Sequence, residues 1–359
     1  MEGRPGFLGT SRDYQAEMKK LYYIANIRLP TERAHGIQIM KMCESLAGQT
    51  QVELVVTNRT SKIKEDPFSY YGVKRNFRIK RFWCLDSVKI GKIGFRIETM
   101  SFIMGALPYL LSRKGIFYTR DESMAFLLKL FGKQVVWEVH MGQRNILAKL
   151  IVKMGVPLVV ISHALKNLYP AARRMLVAPD AVDLEQFDIS LMRREAREKL
   201  GLDPNKKLVV YTGSRQSWKG VETLEAATKF LPTDMETMII MGKSQAEIPA
   251  YLKAADVLVI PNSDKQAISR LYTSPMKLFE YMASGTPIVA SNLPSLREIV
   301  DDSMASFFAP DNPESLAKTI EQVFSDYSQA EKKADVALER VKEYSWKNRA
   351  ESILHFLHV

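Results

Sequence analysis

With 359 residues, 46% of them apolar and 25% charged, the chain has globular composition and enough length for two domains with separate cores. Its net charge of +11 is uneven: residues 1–185 hold 29 Lys and Arg against 16 Asp and Glu, and the rest hold 22 against 24, so the first half suits an anionic partner. Two cysteines, Cys43 and Cys84, are too few for a disulfide framework or a zinc site and favour a reducing compartment, and no run reaches the roughly 20 apolar residues of a membrane-spanning helix.

Residues 1–17 lack the apolar stretch of a signal peptide and read as a disordered extension, so the fold is expected to open at Met18. From there LYYIANI, VELVVT, GIFYT, KQVVWEVH and VPLVVIS read as strands. Between them Gly36–Gly48, Phe95–Ser112, Asp121–Leu130, Arg144–Met154 and Ala164–Tyr169 carry helical periodicity, while residues 58–94 read as an irregular basic loop. The apolar run Met100–Leu111, which contains Pro108, reads as a buried or interfacial helix. A stretch from Asp183 to Lys206 separates the halves. A second series follows, with strands KLVVYTG, ETMIIMG, VLVIPN and TPIVAS, helices at Val221–Phe230, Ile248–Ala255, Pro275–Ser284 and Leu296–Val300, and an amphipathic tail, Trp346–His358. This alternation predicts two doubly wound parallel α/β domains, residues 18–185 and 186–345, with 346–359 as a C-terminal helix.

The segment SPMKLFEYMASGTPIVASNLPSLREIV, residues 274–300, carries the most chemistry. Pro275 suits a first helical turn, and Lys277 and Glu280 are three apart, so both can project from one face. Ligands of open parallel sheets sit beyond strand ends, beside helix N-termini that attract phosphate. Spacing alone favours a surface Lys–Glu pair. Upstream, VVYTGSRQSWKGVETLEAA places Gly213, Arg215 and Lys219 between strand and helix, where Gly permits close backbone approach and the cations could meet a developing negative charge. A basic loop there is also commonly just solvated.

Both segments resemble the donor site of glycosyltransferase family 4, which has the GT-B fold. YLKAADVLVIPNS (251–263) and MLVAPDAVDLEQF (175–187) resemble the same family's strand before the donor loop and its inter-domain segment. The resemblance implies that Lys277 meets a diphosphate and Glu280 a ribose, with Gly213, Ser214, Arg215, Lys219, Ser274, Pro275 and Leu278 around them. It further implies that Gly36 belongs to a loop closing over the diphosphate. His140, ending a parallel strand, would bind the donor sugar or orient the acceptor. Three positions depart from the pattern: Ser214 directly follows the glycine, Asp180–Ala181 replaces an Asn-Gly pair, and Tyr272 stands where a first carboxylate is expected, which puts the sugar's identity in doubt. Asp256 reads as structural.

Lys74–Arg96 holds eight basic residues and one acidic residue, interleaved with Phe77, Phe82, Trp83, Ile90, Ile93 and Phe95. This suits an anionic membrane surface, or a core with solvated charges; no nucleic-acid-binding motif is present. The resemblance implies a retaining transfer from a nucleoside-diphosphate sugar to an acceptor hydroxyl; the donor is expected to be a UDP- or GDP-sugar, and the basic first half suits a cell-envelope polysaccharide or lipid-linked glycan as acceptor. No cofactor and no metal are expected, and the expected location is cytoplasmic, peripheral on the inner membrane face. Rival readings are a sugar-nucleotide epimerase or phosphorylase on this fold, and an inactive membrane-associated subunit.

Overall fold

The computed structural model describes residues 20–142 and 144–358; the extension expected at 1–17 lies outside them. The first sheet is built from β1 (Leu21–Ala25), β2 (Val52–Thr57), β3 (Arg78–Phe82), β4 (Ile116–Thr119), β5 (Gln134–Val139), β6 (Leu158–Val160) and β7 (Met175–Val177). Its order is β3-β2-β1-β4-β5-β6-β7, with every pairing parallel. The second sheet comprises β8 (Lys207–Thr212), β9 (Met235–Ile240), β10 (Val257–Ile260), β11 (Ile288–Ser291) and β12 (Ser306–Phe308), ordered β12-β11-β10-β8-β9 and also parallel.

Helices cover both faces of each sheet, which is why the central strands are mostly apolar. Along β1, Leu21, Tyr23 and Ala25 enter one core while Tyr22 and Ile24 enter the other. In β8, Leu208 and Val210 face one core, and Val209 and Tyr211 face the opposite one. The strand order reverses between β1 and β4 and between β8 and β10. These two switch points are where ligands of open sheets collect.

The chain leaves the first core after Ala181 and enters the second at Val182. It returns at Ser345, which makes an isolated parallel bridge to Val182. Trp346, Ala350, Ile353, Leu354 and Leu357 of the helix Trp346–Leu357 then pack into the first core, so the C-terminal helix does cross back. Ala181 accommodates the crossing without a left-handed backbone, since among the described residues only Asp311 and His358 are non-glycines with positive φ. Asp256 is structural as expected: its Oδ2 accepts from the Leu208 amide at 2.7 Å and from Arg197 at 2.6 Å.

Three stretches are more ordered than the sequence suggested. Residues 58–94 contain the helix Pro67–Tyr71 and the strand β3. That strand, RIKRF, lies at a sheet edge, where outward Arg and Lys are the normal device against edge pairing and mask strand periodicity. The helix expected from Phe95 starts at Gly91, and Leu184–Phe187 and Arg193–Leu200 are helical within the separating stretch.

Candidate functional site

Beyond β8 the backbone turns at Gly213, with φ +135°. A β-carbon there would lie 3.2 Å from Lys277 Nζ and 3.1 Å from the Tyr211 hydroxyl, so the close approach requires glycine. Lys277 comes from the first turn of the helix Met276–Ser284, which follows Pro275 and has no side-chain N-cap. Its ammonium is buried over the face of Tyr211, 3.8 Å from the ring centre, and makes no hydrogen bond. Burial first, and then the Lys219 ammonium, push Lys277 well below the ordinary lysine pKa, with Glu280 opposing. A buried cation without a counter-ion costs free energy unless an anion completes it.

Glu280 is buried one turn further along the same helix and accepts a hydrogen bond from Gln245 Nε2 at 3.1 Å. Burial raises its pKa, against the Gln245 hydrogen bond and the two lysines. Lys219 is half-buried, donates to Ser214 Oγ at 2.8 Å and is pushed down by burial, with Glu280 opposing. Two ammonium groups against one carboxylate, beside open helical amides, form a site short of negative charge.

The Lys219 loop is held by Gly220, whose φ is +63° and whose added β-carbon would meet the Pro261 carbonyl oxygen at 1.9 Å. We expect Gly220→Ala to lower stability by more than the ~1 kcal/mol of an ordinary helix-end change and to weaken nucleotide binding, read by thermal unfolding with and without nucleotide.

Not every residue expected at this site joins it. Arg215 is exposed and pairs with Glu225 of the following helix, with no contact to Lys277 among those the structure gives it. Leu278 buries its side chain in the core and donates its amide to the Pro275 carbonyl at 2.9 Å, so it offers no free group. Ser274 Oγ accepts from the Asp180 amide at 2.9 Å and ties the inter-domain segment to the donor helix. Gly36, in the helix Ala34–Ala47, has a packing reason to be glycine: an added β-carbon would fall 2.2 Å from the Tyr71 hydroxyl, which is itself bonded to Thr31.

His140 follows β5 at the facing domain. Its Nε2 lies 3.1 Å from Glu138 Oε1, out of line for a hydrogen bond. Burial and then Arg120 lower its pKa, so at neutral pH it is a neutral imidazole. Glu138 is wholly buried and central to this wall: it accepts from Tyr23 at 2.8 Å and from Arg349 at 2.6 Å. Burial opposes its charge, but Arg349 and then His140 hold its carboxyl well below the ordinary range. Arg120 donates to Gln38 at 2.6 Å, and half-buried His35 is pushed down to about 4 by burial and then by Arg120, Arg33 and Arg59. Tyr211, Gln245, Glu138 and Arg349 are not evident as site residues from the sequence. Tyr211 lies inside VVYTG, but nothing local ties Arg349 to a carboxylate 211 positions earlier.

Tyr272, standing where a carboxylate was expected, packs with the first domain's core. Gly142 makes room for it: a β-carbon there would sit 2.8 Å from the Tyr272 and Leu168 side chains. Nearby, the Glu298 carboxylate caps the helix His163–Asn167, accepting from the His163 amide at 2.9 Å and the Ala164 amide at 3.2 Å. These contacts join the domains beside His140. Among the described residues no group of three or more His, Cys, Asp or Glu is arranged to hold a metal ion, and no helix is long and apolar enough to cross a membrane.

Residues 189–326 match the family model described as Glycosyl transferases group 1. An uncharacterized glycosyltransferase of Methanocaldococcus jannaschii, MJ1607, is 27% identical over 202 residues, 47% of this chain and 50% of that one. The chain spans about half the length of the relatives it matches. Over 95% of the chain the fold is that of GT-B glycosyltransferase structures. Sucrose-phosphate synthase from Thermosynechococcus elongatus superposes with TM-score 0.76 at 18% identity, covering 95% of this chain and 98% of that one. Anabaena Alr3699/HepE in complex with UDP-glucose gives 0.74 at 12%, covering 95% and 99%.

Proposed function

We propose that this chain is a glycosyltransferase that moves a sugar from a nucleoside diphosphate sugar to an acceptor hydroxyl with retention of configuration. The observation that carries the reading is the buried, unpaired Lys277 ammonium, with Lys219 and Glu280 around it. A departing diphosphate gains negative charge as the glycosidic bond breaks, and preformed cations in a water-poor site stabilise that change. Lys277 and Lys219 supply the charge, the uncapped helix start adds its amides, and Glu280 accepts from ribose hydroxyls. With two ammonium groups in place, this reading needs no metal. His140, kept neutral, contacts the sugar or orients the acceptor.

A UDP-sugar is the favoured donor, with a GDP-sugar next, since the Anabaena structures hold UDP and UDP-glucose. On the acceptor side Arg33, Arg59 and Arg120 around His35 suit an acceptor that carries negative charge, such as a lipid-linked or envelope glycan precursor.

Thermal unfolding with UDP, GDP, ADP and CMP tests this. A nucleotide at about 100 times its Kd adds roughly 2.7 kcal/mol, several degrees in Tm. The rise is expected with one nucleotide and is lost in Lys277→Ala. No rise with any nucleotide removes the proposal in favour of an inactive subunit. Isomerised sugar nucleotide, or phosphate-dependent cleavage without acceptor, would favour the epimerase or phosphorylase reading.

A further inference from the structure

The helix Gly91–Leu111 is turned in an unusual sense. Its inward face includes polar Glu98, Thr99 and Ser101, while Ile93, Ile97, Met100 and Met104 look outward. Their spacing of i, i+4, i+7 and i+11 places all four in one stripe along the helix. Ile93 is 69% exposed and Met104 73%. The stripe is extended at one end by Ile90, 71% exposed, and flanked by Trp83, 59% exposed, whose backbone lies against the helix at Gly105. Along the helix from Ile93 to Met104 the apolar stripe runs roughly 16 Å, at 1.5 Å per residue, with Ile90 beyond its start. Proteins that stay free in water rarely leave so long a contiguous apolar face uncovered.

The charge around the stripe has one sign. Lys89, Lys92 and Arg96 are exposed and make no ion pair among the described residues. The nearby acids are already engaged: Asp86 is bound to Arg28 at 3.0 Å, and Glu98 is buried, hydrogen-bonded to Asn26. The large apolar residues of the basic segment divide accordingly. Phe77 is in the core on one face of the first sheet and Phe82 packs on the core of its other face, whereas Trp83, Ile90, Ile93 and Phe95 are exposed. The surface therefore lies further along the chain than the basic segment 74–96 suggested, and it reaches to Met104.

We propose that this face docks on an anionic lipid bilayer. A convex helix with a Trp, Ile and Met stripe and flanking Lys and Arg suits the headgroup boundary, where apolar tips insert and long cationic side chains reach phosphates. A second copy of the chain fits less well, because symmetric pairing would bring Lys89, Lys92 and Arg96 against their own kind. The placement also has a consequence for access. Asn26 and Arg28, just beyond the C-terminal end of β1, touch Glu98 and Asp86 at the start of this helix. A docked molecule thus holds the open end of the first domain's sheet beside the membrane, within reach of an acceptor anchored in it. The docking itself is independent of the donor site.

Co-sedimentation of the full chain with phosphatidylcholine vesicles, with and without phosphatidylglycerol, decides the matter. Binding is expected to the anionic vesicles and to weaken as salt is raised. Removing three cations near the surface, in Lys89→Ala/Lys92→Ala/Arg96→Ala, is expected to weaken it roughly a hundredfold, each worth about fivefold. Met100→Glu/Met104→Glu should abolish it, with the melting curve and the nucleotide-induced rise in Tm unchanged in both variants. Equal binding by parent and variants overturns the proposal. So does a parent that binds neither vesicle, and so does one that forms a dimer dissociated by Met104→Glu.

Discussion

Lys277→Ala is expected to lower turnover about 10²–10³-fold, the range for losing one preorganised group that stabilises developing charge. Without nucleotide, however, the isosteric Lys277→Met should melt higher than the parent. It removes a buried charge that has no partner, a defect that costs on the order of 1–3 kcal/mol. The pH dependence follows from the depressed pKa of Lys277. Its folded value lies below its unfolded value, so the unfolded chain binds more protons and the parent gains stability as pH rises between the two. The advantage of Lys277→Met is therefore full below the depressed value, and it shrinks as pH rises towards the ordinary 10.5. A diphosphate reverses the preference by favouring the ammonium, so nucleotide affinity should fall as pH rises across the same window. Calorimetric unfolding with turnover assays reads all of this. A Lys277→Met variant that is both less stable without nucleotide and fully active would show that the lysine serves packing alone. Glu280→Gln, which keeps the contact to Gln245, should also reduce transfer, since an amide accepts from ribose hydroxyls less strongly than a carboxylate.

How much of this was legible beforehand depends on the range over which each interaction is encoded. The sheets were readable because strands buried on both faces, such as VELVVT and KLVVYT, are mostly apolar, with one charged residue each, Glu53 and Lys207. The strand RIKRF was missed because an edge position lets charge replace the apolar pattern. The Lys277–Glu280 pair was legible for a local reason: both sit on one nine-residue helix, and their relation is fixed by its geometry. The pairing of Arg215 was not legible because the loop that carries it could turn either way, and only the position of Glu225 on the next helix fixes its partner. The inward turn of the Leu278 side chain was not legible because membership of a motif does not say which members face inward. The apolar stripe was hidden by its own composition. A helix that is apolar all round reads as buried, and only the packing shows that the polar Glu98 and Thr99 turned in while Ile97 and Met100 turned out.

Arg349→Met is expected to cost about 3–5 kcal/mol, roughly 10 °C in the melting of the first domain, because it leaves a buried carboxylate without its partner. Arg349 comes from the returning C-terminal helix, and its guanidinium donates to Glu138 Oε1, to the Pro179 carbonyl at 2.8 Å and to the Ala178 carbonyl at 3.3 Å. One side chain thus clamps the helix, the inter-domain segment and β5 together. The sign of the pH response separates the ionic part from the packing part. In the parent Glu138 titrates below its unfolded value, so its contribution is full above about pH 4.5 and is lost as pH falls through the depressed value. In Arg349→Met burial acts without its main opponent and raises Glu138 above the unfolded value, so acidification towards that value stabilises the variant. The deficit against the parent should therefore be largest at neutral pH and narrow on acidification. Glu138→Gln in the Arg349→Met background should recover part of the loss at neutral pH, a coupling measurable as a double-mutant cycle. Function should respond as well, because the same Glu138 oxygen lies 3.1 Å from His140 Nε2. A carboxylate that neutralises loses its electrostatic attraction for the imidazole, which is expected to lower kcat more than it weakens nucleotide binding at the other wall. A deficit independent of pH, with no recovery in Glu138→Gln, would mean that Arg349 acts through its carbonyl contacts and its packing instead.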